Sequence, residues 1–324
     1  MSSSPVAVLD IGSNSIKILV ALPGISGGIY SLFTRTIDAR ISAGISCAAP
    51  HLSAEGMARG LAAIQALLED AAAHHATTVA LVATSAVRDA QNGQEFQARV
   101  LAATGHRLRI LTGDEEANLI GRGLTSDPAA QDLHDFYAFD LGGGSLECLA
   151  FRDRQIEQAV SLPLGCVRLT EKFSSDPAGP LSDHDCQKVA AHTRTVLADS
   201  SFRFSLPPSA IAIGTGGTVT TARGIIAALL GQKLIEAPPL VRLSDLHELL
   251  ARMAPLPLAA RQQIPGLPAA RADVFPVALV TLTTLAAAGR ISGFRNSFYN
   301  LRYGLAAEAL AGPARSGPLG RAAT

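Results

Sequence analysis

Two similar stretches of sequence decide the fold. The first is VAVLDIGSNS at residues 6–15, followed by IKILV, and the second is YAFDLGGGS at residues 137–145, followed by LECLAF. Each stretch predicts a buried strand that ends in an aspartate, a tight turn of small residues and a second strand. The shared pattern is Asp-[Ile/Leu]-Gly-x-x-Ser, and its two aspartates, Asp10 and Asp140, lie 130 positions apart. That spacing favours a duplicated domain over a short-period solenoid.

Strand and helix patterns alternate through the rest of the chain. Strands are predicted at residues 79–83, 108–111 and 210–213, and helices at 53–75, 96–103, 183–198, 219–230 and 272–288. Residues 84–90 are predicted to be a loop, residues 214–218 a glycine-rich turn from strand to helix, and residues 255–268 a proline-rich surface connection. The alternation indicates the α/β class.

Composition and charge narrow the choice of partner. The 324 residues include 27 Lys plus Arg and 27 Asp plus Glu, so no overall basic field draws in nucleic acid or an anionic membrane. The chain shows no signal-peptide pattern at its start, and the apolar stretch at 277–288 is too short to span a bilayer. The cysteines, which form no Cys-x-x-Cys pair, are expected to be free thiols in a reducing compartment: Cys47, Cys148, Cys166 and Cys186. A cytoplasmic protein is therefore expected.

The glycine-rich turns carry the first functional prediction. A turn of this kind surrounds a concavity with backbone N–H groups and small hydroxyls, which suits phosphate oxygens. The third turn precedes a helix, whose N-terminus supplies a partial positive charge. Neither a Walker A motif nor a Gly-x-Gly-x-x-Gly fingerprint is present. The predicted phosphate-binding residues of the three turns are Gly12, Ser13, Asn14, Ser15; Gly142, Gly143, Gly144, Ser145; and Gly214, Thr215, Gly216, Gly217, Thr218.

Several motifs together resemble the exopolyphosphatase/guanosine pentaphosphate phosphatase (Ppx/GppA) family. They are DIGSNS at 10–15, ATSAVR at 83–88, GDEEA at 113–117, DLGGGS at 140–145 with Glu147, LGCVR at 164–168 and GTGGT at 214–218, with RAD at 271–273 and LRYG at 301–304. The resemblance spans residues 5 to 310. It implies a short form of the family, with two actin-like (ribonuclease H-like) domains that face a central cleft.

The resemblance also implies a division of the chain. Residues 1–125, with a C-terminal helix at about 301–312 packed back onto them, are predicted to form the first domain, and residues 126–300 the second. Residues 313–324 are predicted to be a disordered tail. The assembly state is left open, with a homodimer as one option.

The two adjacent glutamates, Glu115 and Glu116, are predicted to have different roles, the first in helix capping and the second in chemistry. Thr112 and Glu115 have the spacing of a capping box at a helix start, which accounts for Glu115 without any catalytic role. By the resemblance, Glu116 is the general base that orients the attacking water and accepts its proton, a contribution of about 10²–10⁴-fold in rate.

The resemblance further implies a divalent metal and a basic contact. Asp140 is expected to hold Mg²⁺ directly or through water, with Glu147 in its outer sphere and Asp10 across the cleft near the same ion. Arg88 is the favoured arginine for the substrate phosphates, because arginine matches phosphate oxygens bidentately. Arg40, Arg168 and Arg271 are further candidates, whereas Lys17 is interpreted as structural.

Four functions are compatible with these residues to different degrees. Release of terminal phosphate from inorganic polyphosphate is the leading hypothesis, and conversion of guanosine pentaphosphate to the tetraphosphate is the alternative. A sugar or acetate kinase of the same superfamily is less favoured because of the Glu-Glu-Ala motif. A non-enzymatic nucleotide-binding protein is less favoured because Glu116 and Asp140 are both present.

Overall fold

The computed structural model describes residues 4–24, 28–42, 49–207 and 209–311. The strands are β1 (Val6–Ile11), β2 (Ile16–Pro23), β3 (Ile29–Ile37), β4 (Thr78–Ala83), β5 (Leu108–Ile110), β6 (Phe136–Leu141), β7 (Leu146–Arg152), β8 (Gln155–Leu162), β9 (Ile211–Thr215), β10 (Leu240–Arg242) and β11 (Gly293–Asn296). The α-helices are α1 (Ala54–Ala73), α2 (Ser85–Arg88), α3 (Gly93–Thr104), α4 (Gly113–Thr125), α5 (Cys166–Phe173), α6 (Asp183–Asp199), α7 (Gly216–Leu229), α8 (Leu243–Met253), α9 (Leu258–Arg261), α10 (Phe275–Gly289) and α11 (Leu301–Ala311).

The two sheets repeat one topology. The first has the order β3-β2-β1-β4-β5, with β1, β2 and β3 antiparallel and β1, β4 and β5 parallel. The second has the order β10-β11-β9-β6-β7-β8, in which β6, β7 and β8 correspond to the first three strands and β9 and β11 to the parallel pair. β10 adds an antiparallel edge to the second sheet. This is the ribonuclease H-like arrangement of the actin-like fold, present twice, so the predicted fold class is confirmed.

Local sequence explains three of the helix starts. The Ser53 hydroxyl accepts a hydrogen bond from the Gly56 amide at the start of α1, and Ser182 does the same for the Asp185 amide at α6. At α4 the Thr112 side chain accepts from the Glu115 amide, and the Glu115 carboxylate accepts from the Thr112 amide. The predicted capping box is therefore present.

Two local predictions were wrong in detail. Residues 84–90 do not form a loop throughout, because the Thr84 carbonyl accepts hydrogen bonds from the Val87 and Arg88 amides and closes the single turn of α2. The third turn is shorter than predicted, because β9 continues to Thr215 and α7 begins at Gly216. Gly214 and Thr215 are consequently strand residues.

Three apolar clusters fill the interior. One lies in each half of the chain, and the third joins β1 and β2 to β6, β7, α4 and α11. In this third cluster α11 packs on α4, β1 and β2, so the last described helix returns to the first sheet. The contact places the C-terminal end of the described chain beside its beginning; the domain boundaries themselves stay a prediction.

Several expectations concern features outside the site. Cys148 and Cys166 are buried free thiols, Cys186 is partly buried and free, and Cys47 lies outside the described residues. The predicted tail at 313–324 also lies outside them. Among the helices that are described, none is long and apolar enough to cross a membrane.

Candidate functional site

The two repeated hairpins meet at one cleft. Each turn is closed in the same way, with the Gly12 amide donating to the Ser15 carbonyl at 3.2 Å and the Gly142 amide donating to the Ser145 carbonyl at 3.0 Å. The turns also pack directly on each other, since a Cβ at Gly143 would lie 2.8 Å from the Ser13 Cβ. Asp10 and Asp140, each the last residue but one of its strand, line the same cleft.

Outside segments hold both turns by their carbonyl groups. In the first turn the Asn14 carbonyl accepts from the Arg40 amide at 2.9 Å. In the second turn the Gly142 and Gly143 carbonyls accept from the first two amides of α5, Cys166 and Val167, at 3.0 and 2.8 Å. With these carbonyls engaged, the N–H groups of residues 13–15 and 143–145 are the backbone groups best suited to an anion.

The third turn contributes less than predicted. Of its residues, Gly216 and Gly217 line the cleft at the N-terminus of α7. Gly216 has a φ of 75°, and a Cβ there would overlap the Oδ1 atom of Asp140, so only glycine fits. Thr218 and Thr215 are fully buried, and their hydroxyls donate to the carbonyls of Leu141 and Tyr299 instead.

Glu116 lies buried at the cleft, close to the start of α4. Burial raises the pKa of its carboxyl well above the ordinary value, the negative charge of Glu147 adds to the rise, and Arg88 opposes it. The Arg88 Nη1 atom donates to the Glu116 Oε2 atom at 2.8 Å. Glu115 is different: its side chain is 41% exposed and is paired with Arg109 at 2.7 Å. Only the second glutamate therefore faces the cleft.

Three more acidic side chains, Asp10, Asp140 and Glu147, line the cleft. Burial raises the pKa of Asp140 to about 6, and the negative charge of Asp10 contributes to the rise. Burial and then the charge of Asp140 raise the pKa of Glu147 to about 7. The Glu147 Oε1 atom accepts a hydrogen bond from the Ser161 hydroxyl at 2.7 Å.

The carboxylates fit a weakly chelated magnesium ion. Among the described residues, no group of three or more His, Cys, Asp or Glu side chains is close enough to hold an ion alone. Mg²⁺ commonly binds one or two carboxylates and completes its shell with water and substrate phosphates. Asp140, Asp10 and Glu147 supply hard oxygen donors of that kind, with Asp140 and Glu147 poorly compensated by their surroundings.

Comparison with known proteins assigns the chain to a family. The model of the Ppx/GppA phosphatase family matches residues 24–311. The chain belongs to this family. Membership makes it a phosphatase of the hydrolase class, as the sequence motifs indicated.

Solved structures show that this phosphatase shares its fold with other members. An exopolyphosphatase from Cytophaga hutchinsonii is 23% identical, with a TM-score of 0.85 over 95% of this chain and 98% of that one. An exopolyphosphatase-like protein is 24% identical, with a TM-score of 0.84 over 95% and 99% of the two chains. The Ppx/GppA enzyme of Aquifex aeolicus is 20% identical, with a TM-score of 0.74 over 94% and 99%.

The structure of the phosphatase separates the predicted site residues into two groups. Those that line the cleft are Asp10, Gly12, Ser13, Asn14, Ser15, Glu116, Asp140, Gly142, Gly143, Ser145, Glu147, Gly216 and Gly217. Those set back from it are Arg88, Gly144, Gly214, Thr215 and Thr218. Gly144 is packed between the Ser13 and Ser85 hydroxyls, and Gly214 packs on Val219. Arg88 donates to Glu116 and to the Leu111 carbonyl at 3.2 Å.

Two cations line the cleft that the sequence did not mark clearly as site residues, and a third cation lies near it. Lys17 and Arg271 line it, and the charges of Asp10 and Asp140 act on both Lys17 and Arg302. Burial lowers the pKa of Lys17, and the two aspartates oppose that change. A signal for Lys17 was present in the repeat itself. Lys17 is the cross-strand neighbour of Asp10 just as Glu147 is the neighbour of Asp140, seven residues after the aspartate in both cases.

Proposed function

We propose that the protein is an exopolyphosphatase that hydrolyses the terminal phosphate of inorganic polyphosphate. The observation that carries the proposal is the position of Glu116, a buried carboxyl with a raised pKa, at the cleft where both phosphate turns meet. The family match and the similarity to an exopolyphosphatase of known structure support it. The alternative substrate, guanosine pentaphosphate, also ends in a phosphate that is joined to its neighbour by a bridging oxygen.

The terminal phosphate would lie between the two turns. The N–H groups of residues 13–15 and 143–145, the N-terminus of α7 at Gly216 and Gly217, and the Ser13 and Ser145 hydroxyls would bind its oxygens. Lys17 and Arg271 would offset the negative charge of the next phosphate along the chain. These groups orient the terminal phosphorus toward the wall that carries Glu116.

Glu116 would activate the attacking water. Its carboxylate would accept the water proton as the oxygen forms a bond to phosphorus, while the bridging P–O bond breaks and the shortened chain leaves with the bridging oxygen. The raised pKa makes the carboxylate a stronger base at neutral pH than an exposed glutamate. When bound, Mg²⁺ held by Asp140, with Glu147 in its outer sphere and Asp10 across the cleft, would stabilise negative charge on the phosphate oxygens.

A substrate panel tests the proposal. Orthophosphate release is measured side by side on polyphosphates of several lengths, guanosine pentaphosphate and ATP, each with Mg²⁺ and with a chelator. The expected result is a higher kcat/KM for polyphosphate than for either nucleotide, and loss of release with the chelator. A higher kcat/KM for guanosine pentaphosphate would assign the alternative substrate, and absence of release from every compound would refute a hydrolase function at this cleft.

A further inference from the structure

A row of four charged side chains connects the two halves of the molecule beside the cleft. It begins at Glu116, whose Oε2 atom accepts from the Arg88 Nη1 atom at 2.8 Å. The Arg88 Nε atom lies 3.4 Å from the Asp89 Oδ1 atom. The other oxygen of Asp89 pairs with the Arg168 Nη2 atom, and the Arg168 Nε atom donates to the Gly144 carbonyl at 2.9 Å. The row therefore runs from the proposed base to the second phosphate turn.

Both arginines of the row belong to helices that contact the phosphate turns. Arg88 ends α2, whose first residue, Ser85, contacts the first phosphate turn through a 3.4 Å pair with the Ser13 hydroxyl. Arg168 is on the first turn of α5, the helix whose leading amides bind the carbonyls of the second phosphate turn. The pair Arg168–Asp89 thus forms only where the second turn sits against the end of α2.

Asp89 is shared by Arg88 and Arg168, and this sharing determines how strongly Arg88 is held at Glu116. Asp89 bridges two guanidinium groups, and its Oδ2 atom is taken by Arg168. Without that partner, the whole carboxylate would be available to the neighbouring Arg88 and would compete with Glu116 for it. Charge-assisted hydrogen bonds have directional geometry, so a shift of the guanidinium would move the Glu116 carboxylate with it.

We propose that Asp89 and Arg168 are positioning residues for Glu116. Through these two residues the second phosphate turn contacts the end of α2. This contact holds the Arg88 guanidinium in place and thereby fixes the position of the Glu116 carboxylate, the proposed base. The inference rests on the function proposed above. It reassigns Arg88 and Arg168, both sequence-level candidates for substrate phosphates, to the placement of the base.

The molecule contains a matched control for this row. Arg40 and Asp273 form a second Arg–Asp pair between the halves, and Arg40 also donates to the Ala270 carbonyl at 3.3 Å and to the Asn14 Oδ1 atom at 3.1 Å. In the described part of the chain, the hydrogen bonds and ion pairs of Arg40 and Asp273 do not include Glu116 or Arg88. Removing it weakens contact between the halves without touching the base.

The test is a double-mutant cycle on the full chain. Asp89→Asn and the control Asp273→Asn are each made alone and together with Glu116→Gln, and kcat and KM are measured on the substrate that is hydrolysed fastest. We expect Asp89→Asn to lower kcat about tenfold with little change in KM, and to lower it less than about twofold in the Glu116→Gln background. Asp273→Asn should change kcat by the same factor in both backgrounds.

Different failures have different meanings. If Asp89→Asn lowers kcat by equal factors in both backgrounds, Asp89 does not act through Glu116 and the inference is overturned. If Glu116→Gln alone keeps full turnover, the assignment of the base fails, and the proposed positioning role fails with it. Arg168→Gln approaches the same contact from the second half. It should reproduce the cycle, so a folding defect in Asp89→Asn does not leave the question undecided.

Discussion

Substitution of the two adjacent glutamates separates capping from catalysis. Glu116→Gln keeps the size of the side chain, and its amide oxygen can still accept the 2.8 Å hydrogen bond from Arg88. It cannot accept a proton at neutral pH, so kcat should fall by about 10²-fold or more. Because the loss lies in the chemical step, KM should rise little.

Glu115→Gln is the matched control. Its amide oxygen can still accept from the Thr112 amide, now 2.8 Å from the Glu115 Oε2 atom, so the capping box is largely kept. The lost ion pair with Arg109 joins side chains that are 41% and 48% exposed, and such pairs contribute at most about 1 kcal/mol. We therefore expect a small decrease in Tm and turnover within about a factor of three of the unsubstituted protein.

The assay is steady-state orthophosphate release with excess Mg²⁺, alongside thermal melts of both variants. Near-normal turnover in Glu116→Gln would refute the assignment of the base. So would a large loss confined to Glu115→Gln, because the exposed, capped side chain would then be the one that matters.

Three further outcomes follow from the buried carboxylates and the glycine that faces them. Asp140→Asn should abolish most Mg²⁺-dependent release of phosphate. Without metal it should raise the free energy of unfolding at pH 7.5 by up to about 3 kcal/mol, because burial raises the pKa of Asp140 from 3.8 to about 6. Equal Mg²⁺ dependence in the variant would remove Asp140 from the site. The folded protein holds protons on Asp140 and Glu147 that the unfolded chain releases between about pH 4 and about pH 7. In the presence of a chelator, these two groups should therefore lower the Tm as the pH rises through that range. A steeper fall of the Tm in Asp140→Asn than in the unsubstituted protein would contradict this. Gly216→Ala and Gly231→Ala both place alanine at positive φ, at a cost of about 1–2 kcal/mol. Only the Cβ at position 216 overlaps Asp140, whereas the Cβ at position 231 meets open space, so Gly216→Ala alone should lose activity. Equal kcat in the two variants would show that Gly216 has no role at the site.

The sequence was most informative where structure is local. The hairpins at Asp10 and Asp140 and the capping box at Thr112 could be predicted because turn glycines and capping residues act within a few positions. The repeat then implied that equivalent strands would end at one cleft, which is where Asp10 and Asp140 lie.

Long-range contacts explain what could not be predicted. Arg88 follows a strand in a recognisable motif, but its partner Glu116 comes from a different helix, and nothing near Arg88 in the sequence identifies Glu116 as that partner. Arg302 comes within the electrostatic influence of Asp10 and Asp140 because α11 returns to the first sheet, a contact between distant parts of the chain. The hydroxyl of Thr218 was predicted to face phosphate, yet it donates to the Leu141 carbonyl inside the second half.

The pairing of charges in the repeated hairpins bears on the metal. At equivalent positions the first hairpin places Asp10 beside Lys17, and the second places Asp140 beside Glu147. The second hairpin therefore carries two adjacent carboxylates where the first carries a nearly neutral pair.

A substrate phosphate bound between the hairpins would meet this negative charge at the second turn, and a buried like charge is costly in a medium of low dielectric constant. The charges of Lys17, Arg271 and Arg302 already act on Asp140, so these cations cannot fully compensate an added polyanion. A divalent cation between the second hairpin and the phosphate would compensate both, which gives a physical reason for proposing Mg²⁺ at Asp140 and Glu147 rather than at the first hairpin.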